Sequence, residues 1–237
     1  MKIFRKKKSQ KNDSSSIEKM ITAKDVTRAP ALFRLLGTNQ PEHLCIALVK
    51  ASPYNLHMVY SFNQTEKVCL EAVKRDGSTL KYVSNPTMKV CKAAVKNYPY
   101  ALKYVNADKQ TYKMCLKAVK KKGYVLEYVS EQYRTEKLCI AAIKDCPVAF
   151  RYIKNPSEKL CMLAVKLDPE NIKYINDPTE QMCIEAVSRK GYVLKYIKKQ
   201  TIKIVIAAIK EDHDAIEYIN IPEKDPSYKI IQHISYP

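Results

Sequence analysis

Acidic side chains are in short supply: 24 Asp and Glu face 42 Lys and Arg along 237 residues, a formal charge of +18. That deficit favours anionic partners, whether nucleic acid or acidic protein surfaces, without choosing between them. Glycine is rarer, and four glycines cannot build a phosphate-cradling loop. His43, His57, His213 and His233 fall in no metal-ligand spacing, and no Ser, His and acid arrangement is visible. The expectation is therefore a protein that is not an enzyme and has no metal or cofactor site. Long apolar runs are missing too. The longest, six residues as at Ile204 to Ile209, are far short of the ~20 residues that span a bilayer. Ile3 and Phe4 precede the run of lysines from Lys6 and only polar residues follow, so no secretory signal is expected. An intracellular protein is expected, cytoplasmic or nuclear, with no membrane partner.

What is present favours folding: 46% of residues are apolar and 28% charged. The first sixteen residues stand apart. They hold Lys2, Arg5, Lys6, Lys7, Lys8 and Lys11, end in three serines and show no apolar periodicity, so they read as a flexible basic arm. The arm solubilises, or it serves nuclear import or phosphate binding through Lys6, Lys7 and Lys8.

Laid against itself, the chain falls into eight units. Cys45, Cys69, Cys91, Cys115, Cys139, Cys161 and Cys183 share one column, with Val205 in the eighth place, at spacings of 22 or 24 residues. An Ala column follows three residues on, with Leu48 in the first unit, and then a Lys column, Lys50, Lys74, Lys96, Lys120, Lys144, Lys166 and Lys210, broken only by Ser188. Thr65, Thr87, Thr111, Thr135, Ser157, Thr179 and Thr201 precede the Cys column by four, where a hydroxyl caps a helix start. Glu66, Glu136, Glu158 and Glu180 in the first turn and the lysines in the last suit the helix dipole. Pro or Gly then marks a turn in seven units, and a second short helix ends near Tyr82, Tyr104, Tyr128, Tyr152, Tyr174, Tyr196 and Tyr218, with Met58 in the first unit. A leucine-rich repeat has the right period but lacks the Asn or Cys ladder at Asn85, Ala107, Glu131, Asn155, Asp177 and Lys199.

The fold expected is all-α, an α-solenoid of about eight helix-turn-helix repeats of 22 to 24 residues with degenerate caps at both ends. The arm takes residues 1–16, an N-terminal cap 17–41, the repeats 42–220 and a truncated C-terminal cap 221–237. Ala29-Pro30-Ala31-Leu32-Phe33 superposes on Cys146-Pro147-Val148-Ala149-Phe150, which marks residues 17–36 as a worn copy of the unit.

Ala72-Val73-Lys74 through Gly77 to Leu80-Lys81-Tyr82-Val83, and Ala118-Val119-Lys120 through Gly123 to Leu126-Glu127-Tyr128, resemble a short tandem domain of unknown function found in proteins of protists and large DNA viruses. The chain departs from it by placing Cys where that family usually has a branched aliphatic residue. The resemblance implies a helical array, is compatible with a viral source and a host-cell location, and carries over no catalytic residue.

Cysteines recurring in one helical position lie a layer apart, too far for disulfides or shared zinc, and read as small apolar core residues. Cys146, beside a turn, is the exception. Tyrosines in register either pack between units or form a stacking ladder. Lysines in register either complement the dipole or form an anion-binding stripe; Lys74, Lys96, Lys120, Lys144, Lys166 and Lys210 are the candidate partner-binding residues. Lys81, Lys103, Arg151, Lys173 and Lys195 form a second column, interrupted by Glu127 and Glu217. The leading expectation is a scaffold for a protein or peptide partner. A protein that holds nucleic acid without reading its sequence is the alternative.

Overall fold

Seven units begin at the hydroxyl column and the first after Pro41, although Thr201 makes no cap hydrogen bond and its hydroxyl donates to Glu180 instead, at 2.7 Å. In a computed structural model that describes residues 19–222, α-helices span Ala23–Arg28 (α1), Glu42–Ala51 (α2), Glu66–Arg75 (α3), Met88–Asn97 (α4), Tyr112–Lys121 (α5), Glu136–Asp145 (α6), Glu158–Leu167 (α7), Glu180–Val187 (α8) and Ile202–Glu211 (α9). The Thr65, Thr87, Thr135, Ser157 and Thr179 hydroxyls accept from the N–H of the third helical residue. The N-terminal arm, with Lys6, Lys7 and Lys8, and residues 223–237 of the expected C-terminal cap lie outside the described residues.

One extended residue ends each of α2 to α7 and α9, whereas Ser188 at the end of α8 stays helical (φ −66°, ψ −10°). Asp76 (φ −145°, ψ 107°) still donates its N–H to the Ala72 carbonyl but turns the chain out of the helix, and Cys146 and Asp168 do the same one and two layers on from Lys122. The second helix of the unit is a 3-10 helix, a tighter coil than the sequence alone specified. These segments run Pro53–Met58, Gly77–Tyr82, Pro99–Tyr104, Gly123–Tyr128, Pro147–Tyr152, Pro169–Tyr174, Gly191–Tyr196 and His213–Tyr218. Three residues per turn align positions three apart on one face. Gly77 and Leu80 accordingly point into the core together, as Gly123 and Leu126 do. The tyrosine column is the last residue of each 3-10 helix.

The two repeat lengths have one cause. The three 24-residue intervals each insert an extra 3-10 turn, Ser61–Asn63, Ala107–Lys109 or Glu131–Tyr133, before the next cap. The 22-residue intervals pass through a bend instead, and in three of them Pro86, Pro156 or Pro178 precedes the cap. Asn155 in one such bend is left-handed (φ 48°), a conformation that Asn tolerates.

Contacts divide the chain into two compact units, Met1–Ala118 and Val119–Pro237. Within each, neighbouring α-helices pack on one another, neighbouring 3-10 helices do the same, and an α-helix covers the 3-10 helices of its own and the preceding layer. The result is an all-α helical-repeat fold of the α-solenoid class, with no strand among the described residues. The core runs between the layers: Val68, Cys69, Ala72, Val73 and Leu80 in one layer have their counterparts in Leu138, Cys139, Ala142, Ile143 and Phe150 in another. At the N-terminal end, Val26 of α1 and Phe33 and Leu36 of the 3-10 helix Pro30–Leu36 join Leu44, Leu48 and Leu56 in one buried cluster.

Candidate partner-binding surface

The two lysine columns stand on different layers. Lys74, Lys96, Lys120, Lys144, Lys166 and Lys210 occupy the last turn of their α-helices, all exposed. Beside Lys74 is an open hollow of about 340 Å³ lined by Glu66, Lys67, Leu70, Glu71, Lys74 and Lys89, so its amine faces mixed charge. The α-layer repeats this pairing at the helix starts. Lys67 lies 3.7 Å from Glu42, Lys89 3.0 Å from Glu66 and Lys203 3.9 Å from Glu180. The next cap hydroxyl also donates to the same glutamates, Thr65 to Glu42 at 2.6 Å and Thr87 to Glu66 at 2.6 Å. The Thr87 hydroxyl, and then Lys89, hold the Glu66 carboxyl below its ordinary range.

The 3-10 layer is built otherwise. Lys81 stands 4.7 Å above the Tyr82 ring and 6.0 Å from the Tyr54 ring, and Lys103 stands 4.8 Å above Tyr104. In the second unit the Arg151 guanidinium lies 4.7 Å from the Tyr152 ring and 5.3 Å from Tyr124, and it donates to both hydroxyls. Those two rings meet edge to face, 5.3 Å apart. Lys173 lies between Tyr174 and Tyr196 (5.2 and 5.6 Å). Lys195 lies between Tyr192, Tyr196 and Tyr218 (5.1, 5.1 and 5.7 Å). A cation over a ring face is attracted by the ring quadrupole, by roughly 0.5–1 kcal/mol at exposed sites. The tyrosines thus pack half-buried, with Tyr174 the most exposed of the column, and their outer faces carry amines.

Acids meet this row at Asp76, which accepts from the Tyr54 hydroxyl at 2.7 Å beside Lys81, and most closely at Glu170. Glu170 accepts from the Tyr192 hydroxyl at 2.7 Å and from Lys173 at 3.1 Å, contacts that pull its carboxyl down to about 2. Lys190 adds bridges to Asp168 at 3.3 Å and Glu170 at 3.5 Å. Arg151 and Lys195 have no carboxylate within ion-pair distance among the described residues, whereas Lys81 lies in the field of Asp76.

A column that the sequence reading passed over holds the tyrosines in place. The residue just before each helix N-cap is Gln40, Gln64, Gln110, Arg134 or Gln200 wherever it is not proline. Gln64 donates to the Val59 and Tyr82 carbonyls (3.1 and 2.9 Å) and accepts from the Ser84 N–H, tying the ends of two successive 3-10 helices. Gln200 does the same for Ile197 and Tyr218, and Arg134 for Val129 (2.8 Å) and Tyr152 (2.6 Å). The second ring column, Tyr54, Tyr100, Tyr124 and Tyr192 at the second position of the 3-10 helix, was also passed over, because it fills only four of the eight units. Its signal was present: an aromatic directly after the turn Pro or Gly.

Burial raises the thiols of the cysteine column, to about 11 at Cys45, Cys69, Cys115 and Cys183, so they are protonated core groups at neutral pH. Cys146 is half-exposed. Among the described residues no group of three His, Cys, Asp or Glu is placed to hold a metal ion, and no helix is long and apolar enough to cross a membrane.

No curated protein and no solved structure matches the chain. The sequence model of a domain of unknown function (DUF4116) matches twice, at residues 66–109 and 88–134. Each match covers two successive layers and the second is displaced by one layer, so the central part of this chain is similar to an uncharacterised repeat domain whose period is the layer described above.

Proposed function

We propose that the chain is a non-enzymatic repeat scaffold inside the cell, in a protist or a host of a large DNA virus, and that it holds a protein or peptide partner against its 3-10 layer. One observation carries this reading: successive 3-10 helices present cations seated on tyrosine rings, and two of these cations, Arg151 and Lys195, have no acid within ion-pair distance among the described residues. Seating matters because a flexible lysine loses side-chain entropy when it binds an anion, whereas one already held on a ring loses less. The α-layer lysines stand in solvent at helix C-termini, where the dipole and solubility account for them.

A charge of +18 favours the second reading, in which the same cations and the arm hold phosphates without reading bases. Electrophoretic shifts of duplex and single-stranded DNA and RNA at low salt separate the two. Absence of a shift supports the scaffold, and binding that falls steeply with salt and ignores sequence supports the nucleic-acid reading. Capture of a partner by the intact chain that fails with Arg151→Gln/Lys195→Gln would place that partner on the 3-10 layer.

A further inference from the structure

Arg151, Lys173 and Lys195 occupy the same position, the fifth residue, of three consecutive 3-10 helices, Pro147–Tyr152, Pro169–Tyr174 and Gly191–Tyr196, and lie 22 residues apart in sequence. These helices pack directly on one another within the second unit. Packed helices stand ~8–10 Å apart, so the three cations repeat at about that interval. A peptide in the polyproline-II conformation advances ~3.1 Å per residue with three residues per turn, so every third side chain faces the same way at ~9 Å intervals. From this we infer that the row takes an acidic peptide segment in the polyproline-II conformation, with one carboxylate or phosphorylated side chain at every third residue, each anion resting on one cation of the row. The inference rests on the scaffold reading above and gives its partner a chemistry and a spacing.

Two features favour a peptide over a nucleic-acid strand. The tyrosine faces that bases would stack on already carry the Arg151, Lys173 and Lys195 side chains, so stacking would have to displace cations from rings. The row is also interrupted at its middle, where Glu170 and Asp168 face Lys173 and Lys190. A continuous phosphate backbone meets those carboxylates whatever its register, whereas a peptide can leave its weakest contact there. The outer two cations, free of acid partners, are the anchors, and Arg151 is fixed further by the Tyr124 and Tyr152 hydroxyls it donates to.

The test uses the full chain and two fluorescent peptides of about twelve residues and one composition, one with Glu at every third position and the other with its glutamates contiguous. Anisotropy titrations at low salt are expected to show the spaced peptide binding about tenfold tighter than its isomer. Arg151→Gln/Lys195→Gln should remove that advantage, Lys144→Gln/Lys166→Gln, an equal loss of charge on the α-layer, should leave it, and Glu170→Gln should tighten the spaced peptide severalfold by freeing Lys173. Circular dichroism of each variant checks that the fold is retained. Equal binding of the two isomers, or equal loss from both double variants, overturns the spacing while leaving an acidic partner for the scaffold. Failure of both peptides alongside tight, salt-sensitive binding of an oligothymidine overturns the scaffold reading as well. Binding to none of these probes overturns the peptide inference alone.

Discussion

Two adjacent turns of the second unit solve one problem in opposite ways. At Lys122–Gly123 the 3-10 helix opens with a free N–H, and at Cys146–Pro147 it opens with none. The Gly123 N–H donates to Asp145, the last residue of the next α-helix, at 2.6 Å. Gly77 likewise donates to Asn97 at 2.7 Å, and Gly191 to Glu211. Where proline opens the 3-10 helix there is no N–H to satisfy, and the corresponding position of the next α-helix carries no acceptor: Arg75 follows Pro53, Lys121 follows Pro99, Leu167 follows Pro147 and Arg189 follows Pro169. Arg75 and Arg189 reverse the polarity, donating to the last carbonyls of the preceding helix, Lys50 and Lys166. Asn97 does both, since its amide also donates to the Lys74 carbonyl at 3.0 Å. The chain thus has two kinds of layer, and the pairing of turn residue with next-helix end is a rule of interlock between neighbours.

The strongest way to break the comparison is a methyl group. A Cβ at Gly123 would fall far inside contact distance of the Ala142 carbonyl oxygen, and backbone there cannot swing aside. Gly123→Ala should cost about 3 kcal/mol by urea denaturation, the upper end of overpacking effects, against about 1 kcal/mol or less for Pro147→Ala. Equal costs would mean that the layers approach equally closely at both turns.

Next in size is the clamp between layers. Arg134→Met strands the Val129 and Tyr152 carbonyls that its guanidinium satisfies, together with the longer bond to Glu127 at 3.3 Å. A loss of about 2 kcal/mol is expected, read from the same denaturation midpoints, because the orphaned acceptors are partly buried. A neutral result would show that water replaces the guanidinium without cost.

The third prediction exchanges the two kinds of end. Asp145→Leu leaves the Gly123 N–H without its acceptor and should destabilise by about 1–2 kcal/mol. Leu167→Asp adds an acceptor opposite Pro147, which has nothing to donate, and should bring no gain in thermal midpoint. Stabilisation by Leu167→Asp would refute the pairing rule.

The same pairs explain what could be read without a structure. Helix starts were legible because a cap acts on its own residue's neighbours: Thr65 and Val68 are three apart. The layering was legible because the Cys, Ala and Tyr columns each repeat a single side-chain type. The Gly and acceptor pairs were in the sequence too, 20 residues apart at Gly77 and Gly191 but 22 at Gly123 because that interval carries the extra Glu131–Tyr133 turn. Columns read one at a time conceal a correlation between columns. The clamp column was hidden differently, since Gln64, Pro86 and Arg134 share a place but not a chemistry. The seating of Lys81, Arg151 and Lys195 on rings from two layers depends on packing across layers, which spacing along one chain does not contain.

The smallest expected effect tests whether the two kinds of layer differ only at the turn. Lys67 pairs with Glu42, whose layer turns at Pro53, and Lys89 pairs with Glu66, whose layer turns at Gly77. Both lysines are mostly solvent-exposed, so screening and side-chain entropy leave each pair worth about 0–0.5 kcal/mol. Lys67→Ala and Lys89→Ala should therefore shift the denaturation midpoint alike and barely, and less in high salt. A clearly larger cost for Lys89→Ala would show that the Gly layer carries its distinction out to the helix starts, and the interlock rule would then describe whole layers instead of turns.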